Sequence, residues 1–315
     1  MDNISFKNFE EAGQAVLKFL HQRFGFNLWM ITRTEGDDWI VLQSEDNGYD
    51  VKPGQVFNWA DSFCSHMVLG TTPRIAPYSP DIPLYANAPI NKLVDIQAYI
   101  GQPLLKEDGS LFGTLCAIDP QPKPETLVED AALFDLLAQM LSYILQTELR
   151  ETQQMRKTEH FEAEALSDSL TGLFNRRAWD KLVNLEEERC KRYGHPTTVL
   201  MIDLNNLKIT NDKLGHAAGD KLIKKAASTL KEQVRNNDIV ARLGGDEFAV
   251  LSIETNLENA EKLVTRIQDA FAEASISAAI GLAVRNPTYG LSAAIIEADE
   301  KMYQNKVLIK STNNN

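Results

Sequence analysis

Residues 239–251, Ile-Val-Ala-Arg-Leu-Gly-Gly-Asp-Glu-Phe-Ala-Val-Leu, read as two apolar strands reversing at a Gly-Gly turn, with two acids opening the returning strand. Gly244 and Gly245 can both take positive φ, which a two-residue type I′ turn requires, so the chain can reverse without a side chain over the turn. Successive strand residues point to opposite faces, so Asp246 and Glu247 face one ligand together only if the turn skews them. Carboxylates on a rigid hairpin suit a hard cation such as Mg²⁺, which takes one or two carboxylates plus substrate phosphates. An ordinary hairpin with solvated charges would carry the same five residues.

A second acid separates these readings. Thr198-Val-Leu-Met-Ile202 is an apolar run of strand length ending in Asp203, after which the pattern turns polar through Asn205, Asn206, Lys208, Asn211 and Asp212. The stretch from Asp203 to Asp246 is long enough for a helix and a return strand to bring the two acids onto adjacent strands. Lys208 then stands where a cation could meet the phosphates of a metal-bound nucleotide. Between the acids, Gly215 and Gly219 mark a loop, and Leu222, Ile223, Ala226, Ala227 and Leu230 follow at helical spacing. Asp220 near that helix start either complements the helix dipole or, with Asn211, selects guanine: a carboxylate accepts from N1–H and the exocyclic amine, and an amide both donates and accepts. The spacing is not that of a P-loop.

Four segments in order now carry a resemblance: Asp168-Ser-Leu-Thr-Gly-Leu-Phe-Asn-Arg-Arg177, Asp203-Leu-Asn-Asn-Leu-Lys208-Ile-Thr-Asn211-Asp, Gly215-His-Ala-Ala-Gly-Asp220, and Arg242-Leu-Gly-Gly-Asp-Glu-Phe248. Together they resemble the GGDEF family of diguanylate cyclases over roughly residues 166–312. The resemblance implies a palm-like antiparallel sheet flanked by helices, and condensation of two GTP molecules into cyclic di-GMP with loss of pyrophosphate. It implies Mg²⁺ held by Asp203, Asp246 and the Leu204 carbonyl, with Glu247 in support; Asp246 is the candidate general base. Asn211 and Asp220 match guanine-contacting positions, and Lys208 and Lys306 phosphate-contacting ones. Arg235-Asn-Asn-Asp238 matches the family's inhibitory product site, where Arg235 and Asp238 would bind cyclic di-GMP; a surface ion pair is the plainer reading. Two departures stand out. Asn205 and Leu207 replace an acid and an aromatic, and Val307-Leu-Ile-Lys310 replaces the usual Gly-Arg continuation after Lys306. These keep a second reading open, a catalytically weak or silent receptor for cyclic di-GMP. A cyclase that accepts ATP as well as GTP is a third.

The amino-terminal half is a different unit. Phe63-Cys-Ser-His66, Tyr99-Ile-Gly-Gln-Pro-Leu104 and Asp108-Gly-Ser-Leu-Phe-Gly-Thr-Leu-Cys-Ala-Ile-Asp119 resemble the GAF sensory family. This implies a central antiparallel sheet with a pocket for a small molecule, whose identity the residues do not give. Cys64 and His66 lack the second pair of ligands that a structural zinc site needs. Cys64 and Cys116 sit in apolar strings and read as buried packing residues rather than redox sensors.

The expected fold class is α+β: two domains, each a mainly antiparallel sheet with flanking helices, joined by a long helix. Residues 1–147 form the GAF domain, 148–166 a helical linker and 167–315 the GGDEF domain. Leu133, Leu136, Leu137, Met140, Leu141, Ile144 and Leu145 make a wide apolar stripe, read as a dimerising first half of the linking helix; the competing reading packs it on its own sheet. Cyclic di-GMP has two equivalent linkages, so an antiparallel homodimer of half-sites has a chemical reason. A net charge of −12 argues against general nucleic-acid binding. No segment has membrane-spanning length without charge, the opening Met1-Asp-Asn-Ile-Ser is not a signal-peptide start, and three cysteines without framework spacing agree with a reducing compartment, so a cytoplasmic location is expected. Asn313–Asn315 read as a frayed tail.

Overall fold

A computed structural model describes residues 6–164 and 166–312, so the expected tail at Asn313–Asn315 lies outside the described residues. The chain folds into two units, Met1–Gln153 with Arg192–Gly194, and Gln154–Lys191 with His195–Asn315.

The first unit begins with helix α1 (Phe9–Phe24), whose first turn is closed by the Asn8 side chain accepting from the Glu11 N–H and whose end is closed by Gly25 at φ +62°. Strands β1 (Leu28–Glu35), β2 (Asp38–Asp46) and β3 (Val56–Asn58) follow, then helix α2 (Phe63–Val68), strand β4 (Ile75–Ala76) and the short helix α3 (Pro83–Ala86). Strands β5 (Ala98–Leu105) and β6 (Leu111–Asp119) complete a six-stranded sheet in the order β3-β2-β1-β6-β5-β4, antiparallel throughout. The Asp108-Gly hairpin forms as expected, with Gly109 at φ +79° between β5 and β6. Period-two alternation splits β1 between two cores: Trp29 and Ile31 pack with α1, while Leu28 and Met30 pack with α2 and the loops around α3.

Helix α4 runs unbroken over Ala131–Glu164. The inner edge of the apolar stripe in its first half packs on its own sheet: Phe134, Ala138, Leu141 and Leu145 are buried in the core of the first unit. The stripe is wider than a two-position seam, and its inner edge covers the helix's own sheet, leaving Leu136, Met140 and Tyr143 exposed.

The second unit contains strand β7 (Phe174–Asn175), helix α5 (Arg176–Tyr193, whose last two residues fall in the first unit), β8 (Thr198–Leu204), α6 (Leu207–Leu214), α7 (His216–Glu232), β9 (Ile239–Gly244), β10 (Glu247–Ser252), α8 (Leu257–Glu273), β11 (Ala278–Val284) and α9 (Gly290–Thr312). Its sheet order is β11-β8-β10-β9-β7, antiparallel except for the β7–β9 pair. β8 is buried on both faces: Val199 and Met201 pack with α5 and α9, and Leu200, Ile202 and Leu204 with α7 and α8. The close approach of α9 needs Gly281, where a Cβ would lie 2.0 Å from the Ala298 carbonyl oxygen. Among the described residues no helix is long and apolar enough to cross a membrane.

Candidate active site

The edge of the second sheet places the acids. β8 and β10 pair so that Asp203 stands directly opposite Glu247, and the Leu204 N–H donates to the Asp246 carbonyl at 3.0 Å. Directly opposed residues project to the same face of a sheet. Two of the expected acids therefore share a face, and the third lies one residue away in the turn. The turn itself is corrected. Gly244 pairs with Glu247, so the two-residue connection is Gly245-Asp246 and not Gly244-Gly245. Phe248 pairs with Arg242, which leaves Leu243 as an extra residue on β9 and makes a bulge there. Gly244 at φ +154° and Gly245 at φ +47° carry the reversal. The bulge moves Asp246 out of the strand and into the loop, where it is half-buried.

Arginines missing from the expected set hold this hairpin. Arg242 donates from Nε and Nη2 to the Gly245 carbonyl at 3.1 and 2.8 Å, and from Nη1 to the two carboxylate oxygens of Asp168 at 3.2 and 3.3 Å. Arg176 donates to the Leu243 carbonyl at the bulge and lies 3.5 Å from Glu247. Burial pushes the Asp168 carboxyl up, but hydrogen bonds from Thr171 and Arg242 outweigh it and hold it below its ordinary value. Both arginines and Asp168 fall within the quoted motifs; what was not visible was that they meet at the turn.

Asp203 is 6% exposed, and its Oδ1 lies 2.6 Å from Lys306 Nζ on α9 without a well-aligned hydrogen bond. Asn205, which stands where the family often has an acid, is spent on structure: its N–H donates to the Ser277 carbonyl and its Nδ2 to Ser277 Oγ, tying the end of β8 beside β11. Asn206 then takes φ +66°, a left-handed conformation that asparagine tolerates, and turns the chain into α6. Lys208 and Asn211 are thus on a helix. The expected loop at Gly219 is likewise corrected: Gly215 separates α6 from α7 at φ +82°, while Gly219 is helical and buried. A Cβ there would lie 1.9 Å from Asn211 Oδ1, so Gly219 is small because α6 and α7 meet at Asn211. Asn211 Oδ1 is itself a buried oxygen with no hydrogen-bond partner among the described residues, and Asp220 is exposed one residue beyond Gly219.

The oxygens available at this edge are the Asp203, Asp246 and Glu247 carboxylates and the Leu204 carbonyl, a donor set that fits Mg²⁺. The close Lys306 ammonium marks the Asp203 carboxylate as a place that attracts a cation. Among the described residues no group of three or more Cys, His, Asp or Glu side chains is arranged to hold a metal. Any metal here would therefore have to share its coordination with substrate.

Arg235 and Asp238 lie at a second place, the loop before β9. Asp238 is 7% exposed and its carboxylate is already used: Oδ2 accepts from the Arg235 N–H, and Oδ1 from the Ile253 N–H and Ser252 Oγ. Burial pushes its carboxyl above the ordinary value despite these bonds. The Arg235 side chain is exposed at a cavity of about 410 Å³ that Lys231, Asn236, His160 and Phe174 also line.

Comparison with known proteins places the two halves of the chain in known domain families. The sequence model described as diguanylate cyclase, GGDEF domain, matches residues 165–311, and that of the GAF domain matches residues 8–145. Diguanylate cyclase DgcP of Escherichia coli (strain K12) is 30% identical over 223 residues, 67% of this chain and 64% of that protein. Probable diguanylate cyclase DgcC of the same strain is 29% identical over 163 residues, 49% of this chain and 43% of that protein. In both cases the match spans less than two thirds of the relative's own length. A crystal structure of the GGDEF domain of DgcB from Caulobacter crescentus in complex with c-di-GMP is 26% identical, with a TM-score of 0.42 over 45% of this chain and 90% of that one. The chain thus carries a GAF domain over residues 8–145 followed by a GGDEF domain, the domain of diguanylate cyclases, over residues 165–311.

Proposed function

We propose that the second domain condenses two molecules of GTP into cyclic di-GMP and two of pyrophosphate, and that the first domain regulates it. The observation that supports this most is the pairing of Asp203 with Glu247 across β8 and β10, with Asp246 in the adjoining turn. Bound there by Asp203, Asp246 and the Leu204 carbonyl, with Glu247 in support, Mg²⁺ would supply charge neutralisation at the α-phosphate and the attacking hydroxyl. Asn211 and Asp220 orient the guanine, and Lys208 and Lys306 bind phosphate, the latter by leaving Asp203. The 3′-oxygen of one nucleotide attacks the α-phosphorus of the other, the bond to the β-phosphate oxygen breaks, and pyrophosphate leaves. Asp246 takes the 3′-hydroxyl proton. Both linkages form when two chains present half-sites antiparallel, so the working unit is a homodimer.

Regulation works by population shift: a small molecule in the GAF domain that prefers one arrangement of the dimer favours or disfavours the productive pair by its differential affinity. Feedback by cyclic di-GMP uses the Arg235 guanidinium at the 410 Å³ cavity, while Asp238 shapes the loop. That cationic cavity also favours a second reading, a receptor that binds cyclic di-GMP without making it.

Turnover separates the two. Purified chain with GTP and Mg²⁺ yields cyclic di-GMP and pyrophosphate by chromatography, and Asp246→Asn and Asp203→Asn each lower the rate at least about 10²-fold with the melting temperature little changed. A wild-type chain that binds cyclic di-GMP but makes none establishes the receptor instead. Turnover retained in both variants removes the acids from the mechanism.

A further inference from the structure

The face of the first sheet opposite α1 and α4 encloses a cavity of about 40 Å³, lined by Met30, Trp39, Phe63, Tyr99 and two sulfurs among other apolar groups. It has room for a molecule of roughly two or three heavy atoms. The sulfurs belong to Cys64 on α2 and Cys116 on β6, which are 1% and 0% exposed. Sequence alone made them packing residues, and they are buried as expected. What the fold adds is that they are neighbours: both line this cavity, and one hydroxyl, that of Thr114, lies 3.4 Å from Cys64 Sγ and 3.6 Å from Cys116 Sγ.

The pair is not symmetric. Cys64 Sγ also accepts from the Tyr99 hydroxyl at 3.2 Å, so hydroxyls of two residues, Tyr99 and Thr114, converge on it. The Thr114 hydroxyl continues to Thr32 Oγ1 at 2.8 Å, which accepts from Trp39 Nε1 at 2.9 Å, so a relay of polar groups is built into an otherwise apolar interior. Space for the phenol depends on Gly101, where a Cβ would lie 1.9 Å from the Tyr99 hydroxyl oxygen. Converging donors stabilise a thiolate over a thiol. Burial pushes Cys64 up, but hydrogen bonds from Cys116, Thr114 and Tyr99 outweigh it and hold it below its ordinary value, whereas burial and its neighbour Cys64 push Cys116 well above. Cys190, buried in the second unit beside Thr197, is pushed by burial up to about 12. Two hydroxyls thus converge on Cys64 with Cys116 beside it, the arrangement that an attacking and a resolving sulfur need in a two-cysteine redox centre.

We propose that Cys64 and Cys116 are a peroxide-responsive thiol pair, in which Cys64 reacts with a small hydroperoxide and Cys116 resolves the product to a disulfide. With hydrogen peroxide, the Cys64 thiolate attacks one oxygen and the O–O bond breaks. The departing hydroxide recovers the proton lost by the thiol and leaves as water, with Cys64 as a sulfenic acid. The Cys116 sulfur then attacks Cys64 Sγ, the S–O bond breaks, and the hydroxyl leaves with the Cys116 proton as a second water. Two thiols lose two electrons in all and the peroxide gains them; a dithiol reductant reverses the change. The disulfide ties α2 to β6 and withdraws from Tyr99 the thiolate it donates to, altering the walls of the cavity. None of this rests on the catalytic reading of the second domain.

The test is site-resolved mass spectrometry of the native full-length chain after micromolar hydrogen peroxide and thiol blocking. The expected result is a linked pair of peptides containing residues 64 and 116, two hydrogens lighter than the reduced pair and lost on adding dithiothreitol, with Cys190 unmodified. In Cys116→Ser, Cys64 is instead captured by dimedone as a sulfenic acid. Tyr99→Phe, which removes one donor, slows disulfide formation severalfold while the chain still melts cooperatively. The proposal is overturned if both thiols stay titratable in the native wild-type chain, if the link forms only in denaturant, or if Cys190 reacts as fast as Cys64.

Discussion

The two halves of α4 are anchored by opposite physics. In the first unit, Phe134, Ala138, Leu141 and Leu145 recur at helical spacing and are buried against the sheet, a non-directional attachment that scales with apolar area. In the second unit the same helix exposes Met155 and Phe161, puts the small Ala163 into the core, and carries an ion-pair network. Arg156, 4% exposed, donates to both carboxylate oxygens of Glu186 at 3.2 and 2.7 Å and to Glu254 at 2.8 Å. Arg189 on α5 reaches back to Glu159 and also contacts Glu186. An ion-pair network of this kind contributes little net stability, because desolvation offsets most of the attraction, but it is intolerant of a missing partner. One end of the helix is therefore fixed by area and the other by geometry.

Four variants would break or sharpen that contrast. Phe134→Ala should cost the most, about 3–5 kcal/mol in chemical denaturation, because it empties a fully buried site that cannot collapse. A cost below about 1 kcal/mol would mean the first half of α4 is not anchored by its core. Glu186→Gln should cost about 3 kcal/mol by leaving Arg156 and Arg189 short of a counter-charge, whereas the joint change Arg156→Met with Glu186→Leu should return to within about 1 kcal/mol of wild type. If the joint change costs as much as the single one, the network stabilises more than the contrast allows. Asp168→Asn tests a half-screened pair and should cost about 1 kcal/mol at neutral pH. The native carboxyl titrates below the ordinary 3.8, so its contribution is complete above that value and is lost as pH falls through the lower native one. Stability curves for wild type and variant should therefore converge on acidification below 3.8; divergence would reverse the sign of the shift.

What the sequence made visible follows the same division. Apolar periodicity located β8, β10, the sheet alternation and the stripe on α4, because burial writes itself into residue type. Specific polar geometry did not. The stretch Glu148–Glu164 is polar, and nothing in a run of Arg, Lys and Glu distinguishes the buried Arg156 from its exposed neighbours. The shift of the turn to Gly245-Asp246 depends on the Leu243 bulge, a matter of strand pairing. Gly219 looked like a loop residue because small size and backbone freedom are indistinguishable until Asn211 is seen against it. Asp238 was recognisable by its spacing from Arg235, but not the three internal donors that occupy it. The convergence of Asp203 and the hairpin was legible because ordered motifs, each too short to be specific alone, constrain one another. Cys64 and Cys116 had no such motif, and only the packing of α2 on the sheet brings them together.

The acids at the β8–β10 edge as a nucleotide-dependent metal site are the claim on which the functional account turns. Manganese(II) titration followed by electron paramagnetic resonance, with and without a non-hydrolysable GTP analogue, measures this apart from turnover. Wild-type chain should bind the ion much more tightly with the analogue than without it, and Asp203→Asn should lose that gain while keeping its melting temperature. Equal affinity in wild type and variant, with the analogue present, would contradict the account.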